Sequence, residues 1–360
     1  MKHPFCRSIQ YALALVCLFC PIYSIVNFKL NSKAPFEVEG EISNCIDSIN
    51  AFNVSLDSLK VSYYTAPNTE CKLVRFDEKF EAAAKVLEGK HLVMIGDSLT
   101  RYQYLSLVYF LESGKFSSPH PSQTWEKEYN SWNQFYQITN HRLNGNEVCD
   151  CFRVKMNETE IINENRYYHN PLTNVRITYL QWFGSVGMGY HPDILKLAQS
   201  RDSFEIALTI CHPGTCDPRD PTFVKTNPNA FIKNVIADLN PHFVVMNCGH
   251  WKRCGSQLEI KQTVAAAVNI LEKLGLSSKN FIWKSTTHAL RQPNSHEYLN
   301  VIHDSGAQVM PAYNITYEYF MLSKDLQLEL PFTAYTDNLH FREFVYRELN
   351  IFMLNMLANS

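Results

Sequence analysis

Ser98 is the residue of this chain most open to a chemical reading, because the apolar run His91-Leu92-Val93-Met94-Ile95 stops at Gly96-Asp97-Ser98 and passes straight into a helical pattern. Val93, Met94 and Ile95 read as a buried strand. Tyr102, Leu105, Leu107, Val108 and Leu111 recur at helical spacing up to Ser113-Gly114. A hydroxyl at such a turn sits at a helix N-terminus, where unpaired N–H groups and the positive dipole end favour an anion. That setting suits a nucleophile whose reaction develops an oxyanion. Asp and Ser are also ordinary N-cap residues, so a plain cap is the competing reading.

The partner that a nucleophile needs is found near the other end of the chain, in Tyr335-Thr336-Asp337-Asn338-Leu339-His340-Phe341. Side chains three apart on a turn share a face, so Asp337 can fix the tautomer of His340 and stabilise its imidazolium. The bland alternative is that Asp337 or Asn338 caps the last helix, Arg342–Leu357. Ser at the first strand-to-helix turn with Asp-x-x-His before the last helix is a distinct chain order for a Ser-His-Asp set. Such sets are recognised by roles and not by order.

At these residues the chain resembles the SGNH/GDSL superfamily and, within it, the PC-esterase and trichome birefringence-like polysaccharide O-acetyltransferases. The resemblance runs from Cys71-Lys72-Leu73-Val74-Arg75-Phe76-Asp77 through Leu87-Glu88-Gly89-Lys90 and Gly96-Asp97-Ser98-Leu99-Thr100-Arg101-Tyr102-Gln103. It continues to Asn247-Cys248-Gly249-His250-Trp251 and Asp337-Asn338-Leu339-His340. Plant members usually carry Asn where this chain has Tyr102, and their Gly-x-Trp-x-x-Asp element is not legible between Cys45 and Cys71. The resemblance implies a flavodoxin-like SGNH sandwich, catalysis by Ser98, Asp337 and His340, and an oxyanion donor at Asn247.

The elements that must position these residues alternate along the chain. Strands are expected at Leu92–Ile95, Val175–Gln181, Phe204–Ile210, Phe243–Met246 and Phe281–Lys284. Helices lie between them, one entered at Asn227-Pro228 and one around Val264–Leu274 that stops at Gly275. This is the α/β pattern of a mostly parallel sheet covered on both faces. With 360 residues, 46% of them hydrophobic, the chain can bury one large core. A net charge of -2 without basic runs argues against nucleic acid as a partner. The expected division is a leader at 1–30, a stem or degenerate subdomain at 31–70 and a catalytic domain at 71–360.

Lys2 and Arg7 precede an apolar run from Ile9 to Val26, which reads as an uncleaved signal anchor or as a signal peptide cut after Ser24. Either sends the rest of the chain into the secretory pathway. The family resemblance makes a Golgi membrane with a luminal catalytic domain the leading expectation, with secretion as the alternative. Of the 11 cysteines, Cys6, Cys17 and Cys20 fall in this leader. Cys45, Cys71, Cys149, Cys151, Cys211, Cys216, Cys248 and Cys254 remain as an even set, which invites disulfides, with local loops at 211–216 and 248–254. Zinc is the competing reading for these Cys/His clusters, but no Cys-x-x-Cys occurs among them. Asn53, Asn157 and Asn314 open glycosylation sequons.

Strand ends supply the other site candidates. Asn247 follows Phe243–Met246 and can aim an amide N–H at an oxyanion, and Gly184 is a weaker backbone donor beside the competing Gly187 and Gly189. Arg101, His250, Trp251 and His288 are candidates for holding substrate, although Arg101 reads equally as part of a solvated helix face. Trp182, Trp251 and Trp283 are candidates for stacking on sugar rings, against burial as core aromatics. The chemistry expected is acyl transfer through an acetyl-Ser98 intermediate to a glycan hydroxyl, or to water in an O-acetylesterase. An inactive glycan-binding glycoprotein is the third reading. No motif for a bound cofactor or metal is evident and none encodes the acetyl donor; a membrane protein that supplies acetyl groups is a further candidate partner.

Overall fold

The computed structural model describes residues 45–55, 58–66, 69–119, 129–156, 159–184, 188–199, 213–251, 254–290, 298–326 and 334–360. The expected anchor Ile9–Val26, the strand Phe204–Ile210, Cys211, Asn157 and Gly187 lie outside the described residues. No helix among the described residues is long and apolar enough to cross a membrane.

The strands in chain order are β1 (Ile49–Val54), β2 (Val61–Thr65), β3 (Thr69–Cys71), β4 (His91–Gly96), β5 (Glu147–Cys149), β6 (Phe152–Met156) and β7 (Thr159–Asn163). They continue with β8 (Asn165–Asn170), β9 (Val175–Gln181), β10 (Met188–Tyr190), β11 (Val224–Thr226), β12 (Phe243–Met246), β13 (Phe281–Lys284) and β14 (Gln308–Met310). A seven-stranded sheet runs β14-β13-β12-β4-β9-β8-β5. Its first five strands are parallel, while β8 and β5 join antiparallel. This is a mixed α/β architecture with a mostly parallel central sheet between helices.

Strand periodicity divides the core into two layers, because successive side chains leave opposite faces of the sheet. Leu92 and Met94 of β4, Phe243 and Val245 of β12, and Ile282 of β13 pack against the helices Ser98–Ser113 and Glu343–Ala358. Val93, Ile95, Val244, Met246, Phe281 and Trp283 pack on the other side against Gln257–Lys273 and the helical stretch 228–239. The helix Ser98–Ser113 is covered all round, with every residue from Leu99 to Leu111 buried.

The expected boundary at residue 70 falls inside one compact unit, Glu39–Ser360. Strands β1 to β3 form a small antiparallel sheet whose Val54, Val61 and Tyr63 enter the core beside the last helix. The Cys71–Asp77 segment explains itself as an anchor on that helix. Arg75 grips Glu348 with two N–H groups at 2.6 Å each, and Asn355 both donates to and accepts from the Val74 backbone at 3.0 and 2.9 Å. Glu348 also accepts the Val61 N–H at 3.2 Å, so one buried carboxylate joins β2, the segment and the last helix.

Cys45 and Cys71 are bridged with their Cα atoms 5.9 Å apart, as are Cys248 and Cys254 at 5.8 Å and Cys149 and Cys151 at 5.2 Å. Cys216 is also disulfide-bonded. Asn53 on β1 and Asn314 in the helix Ala312–Asp325 are both exposed. The Cys45–Cys71 bridge spans 26 residues. A loop of that size restricts the unfolded chain by roughly 3 kcal/mol. Replacing both cysteines by Ser should therefore lower the unfolding free energy by about 3 kcal/mol in chemical denaturation. A loss below about 0.5 kcal/mol would mean that the β1–β3 sheet is held by its other contacts alone.

Candidate active site

The turn between β4 and its helix is packed too closely for side chains at two glycines. A Cβ on Gly96 would come within 2.3 Å of Thr100 Oγ1, and one on Gly249, whose φ is +70°, within 1.9 Å of Asp97 Oδ2. Asp97 is fully buried and caps the helix by accepting the Leu99 N–H at 3.1 Å, while its other oxygen accepts the His250 N–H at 3.2 Å. Tyr179 supports the turn from β9 by donating its hydroxyl to the carbonyls of Gly96 and Asp97 at 3.0 and 3.2 Å. Ser98 is thereby held as the first helical residue, with its side chain partly exposed.

Ser98 Oγ lies 2.8 Å from His340 Nε2, and His340 Nδ1 lies 2.7 Å from Asp337 Oδ2. The second carboxylate oxygen of Asp337 accepts the backbone N–H groups of Leu339 and His340 at 2.7 and 2.8 Å. Asp337 therefore organises its own turn while facing the imidazole; it does not cap the last helix, whose N-cap position is Arg342 without a side-chain hydrogen bond. Partial burial opposes its ionisation, but the hydrogen bonds from His340 and Leu339 hold its carboxyl well below the usual carboxylate range. An ionised Asp337 accepts a hydrogen bond from Nδ1–H of His340, which leaves Nε2 to accept from Ser98. Tyr102 meets the His340 ring edge-on, with centroids 5.1 Å apart.

Asn247 follows β12 beside this turn and donates its side-chain N–H to the Lys284 carbonyl at 2.7 Å. Gly184 has a φ of +60° and accepts the Trp182 indole N–H at 3.1 Å, on a segment that pairs with Gly96 through Trp182 N–H at 2.7 Å. Trp251 is 39% exposed and stacks on Phe183 with centroids 4.7 Å apart, whereas Trp182 and Trp283 are core aromatics. His250 is partly buried. Its Nε2 lies 3.4 Å from Thr287 Oγ1, and burial disfavours its protonation although Asp97 opposes that effect.

Two expected substrate contacts are corrected. Arg101 neither faces solvent nor lines an open site: its guanidinium is buried and donates to Glu164 at 2.9 Å. The reason is the burial of its helix on all sides, which turns every long side chain there into the core. Glu164 in turn pairs with Arg166, which also donates to Glu147, forming a buried charge cluster that no sequence spacing announced. His288 is likewise buried. It stacks on Phe320 at 4.3 Å, its ring lies 2.8 Å from the Tyr335 hydroxyl through Nδ1, and it supports the Asp337–His340 turn from behind.

The sequence reading missed Asp97 as a tie between two loops, Tyr102 as a wall for the imidazole, and Lys284. The Asp of Gly-Asp-Ser and a Lys ending an otherwise apolar strand were the available signals. Among the described residues, no three His, Cys, Asp or Glu side chains gather where they could hold a metal ion. No family model matches the chain, and no curated protein matches it.

Gly249 provides a direct test of this turn. Gly249→Ala should slow labelling of Ser98 by a fluorophosphonate by at least about tenfold, because the new Cβ displaces Asp97. Gly275→Ala carries a similar backbone strain at φ +79° with nothing within 4 Å, and should leave labelling unchanged. Equal effects of the two substitutions would show that the Asp97 contact does not set Ser98.

Proposed function

We propose that this chain is a serine-dependent acyltransferase of the SGNH type, moving an acetyl group to a glycan hydroxyl through an acetyl-Ser98 intermediate. The observation that carries the reading is the continuous relay Ser98 Oγ–His340–Asp337, with links of 2.8 and 2.7 Å. Its members come from the first strand-to-helix turn of the sheet and the turn before the last helix, as in the family that the motifs resemble.

In this scheme His340 Nε2 takes the proton of Ser98 as Oγ attacks the acetyl carbonyl, then gives it to the departing group. An acceptor hydroxyl next loses its proton to the same nitrogen and attacks the acetyl-serine, and as the bond to Oγ breaks His340 returns that proton to Ser98. Asp337 holds the tautomer and offsets the imidazolium charge. The Ser98 N–H and the second N–H of the Asn247 amide, with Gly184 as a weaker candidate, receive the oxyanion. Each such donor is worth about 3 kcal/mol in comparable sites. The exposed face of Trp251, stacked on Phe183, offers a platform for a sugar ring.

The luminal setting, the N-terminal membrane anchor and a separate acetyl-donating membrane protein belong to the same proposal, supported by the leader pattern, the bridged cysteines and the exposed sequons. The esterase reading uses the same residues. It is favoured by one observation, the 51% exposure of the Asp337 side chain, which leaves this end of the relay open to water.

Ser98→Ala should abolish acetyl turnover with the fold retained, His340→Ala should cost about as much, and the double variant little more, since members of one unit are non-additive. Additive losses would separate their roles. Incubating the wild type with an acetyl ester and candidate oligosaccharides should raise O-acetylated sugar as free acetate falls. Trp251→Ala should reduce that partition more than it reduces Ser98 acetylation. If no glycan alters the acetate yield and acetylated glycans lose acetyl instead, hydrolysis is the function. A folded chain whose Ser98 takes neither acetyl nor fluorophosphonate would leave the glycan-binding reading.

A further inference from the structure

Lys284 ends β13 and has no part in the proton relay, yet it is buried, with 1% of its surface exposed, against the helix that carries Ser98. Ile282 packs on that side of the sheet, so the strand period sends Lys284 the same way. Its Nζ donates to Thr100 Oγ1 at 3.0 Å and to Gln103 Oε1 at 3.1 Å, in the first two turns of the helix. Its carbonyl accepts the Asn247 amide at 2.7 Å. One residue thus holds both the nucleophile's helix and the side chain assigned to the oxyanion.

Two neutral acceptors do not by themselves account for an ammonium there, because burying a charge without an opposite one is costly. Asp97, three residues before the Thr100 that accepts from Nζ, favours the charged form of Lys284 from the β4 turn. His250, from the loop after β12, also feels it, and Lys284 disfavours protonation of that ring. Thr100 and Gln103 are uncharged, as are Asn350 and Met353 of the last helix, which meet Gln103.

We propose that Lys284 is a positioning residue for the Ser98 reaction, its ammonium holding Thr100 and Gln103 while its carbonyl holds Asn247, so that the first turns of the Ser98 helix stay in register with the Asn247 amide. This rests on the acyl-transfer reading of Ser98. Burial brings Lys284 down to about 8, against the pull of Asp97. The ammonium is therefore intact at neutral pH and is lost as pH rises through that value, so turnover falls on the alkaline side.

The test follows the lysine and the reaction separately in the full chain. With 15N-lysine labelling, the Nζ resonance missing from Lys284→Met is titrated by NMR, while kcat and KM for an acetyl ester are measured across the same pH range. The wild type should show a lysine titration near 8 and a kcat limb at the same pH. KM should change little. Lys284→Met should lower kcat at neutral pH by about 10- to 100-fold and lack the alkaline limb. Thr100→Val keeps the ammonium but removes an acceptor, and should move the resonance and the limb to lower pH together.

A folded Lys284→Met with normal kcat, or one that retains the limb, overturns the proposal, as does a Lys284 that titrates in the usual lysine range. If Lys284→Met does not fold, a limb in Thr100→Val that fails to follow the resonance overturns it. A wild type that turns over no ester and takes no label on Ser98 removes the acyl-transfer reading, and this proposal with it.

Discussion

The close packing around the Asp97 carboxylate is the constraint on which the site depends. One oxygen caps the Ser98 helix and the other fixes the loop after β12, so two strand ends are tied together at a fully buried charge. The glycines are consequences of that tie. Gly249 takes a left-handed backbone conformation where any Cβ would strike the carboxylate, and Gly96 lets Thr100 close over the turn. A hydrogen bond to a charged group contributes more than a neutral one and costs more when half of it is lost. The tie therefore fixes where Ser98 stands relative to Asn247 more strongly than apolar packing would.

Much of the sheet was legible because burial on both faces makes parallel strands read as short apolar runs. The expected Val175–Gln181, Phe243–Met246 and Phe281–Lys284 coincide with β9, β12 and β13. The antiparallel strands were not legible. Asn165–Asn170 is Asn-Arg-Tyr-Tyr-His-Asn, in which Arg166 pairs with Glu164 and Glu147 and Asn165 donates to Asp150, and buried polar pairs of this kind leave no hydrophobic period. Three-residue strands such as β5 and β14 are too short to carry one at all.

At the site, spacing revealed what lies close in sequence and nearness in space remained hidden. Asp337 and His340 were readable as a pair because they share one turn. That Ser98 meets them, 242 residues away, follows only from the order of strands in the sheet. Arg101 was misread for a related reason. A helix laid between a sheet and a second helix has no solvated face, so a charged residue on it reports an internal partner and not a surface. His288 shows the same rule on a loop, since it is buried against Phe320 and Tyr335.

Under the proposed acyl transfer, the same geometry bears on the balance between transfer and hydrolysis. Ser98 and His340 are partly exposed and Asp337 more so, so the relay itself does not keep water from an acyl-enzyme. Under the proposed transfer, preference for a sugar would come from orientation, because a hydroxyl held at the reacting carbon gains the advantage of an intramolecular reaction, which can reach several kcal/mol. That advantage requires a surface that grips the acceptor close to Ser98. Trp251 has the right character: its loop begins at Asn247, its backbone neighbour His250 is bound to Asp97, and Phe183 fixes its ring plane. The carboxylate that caps the Ser98 helix thus also fixes the loop that carries Trp251, and a change in one is transmitted to the other.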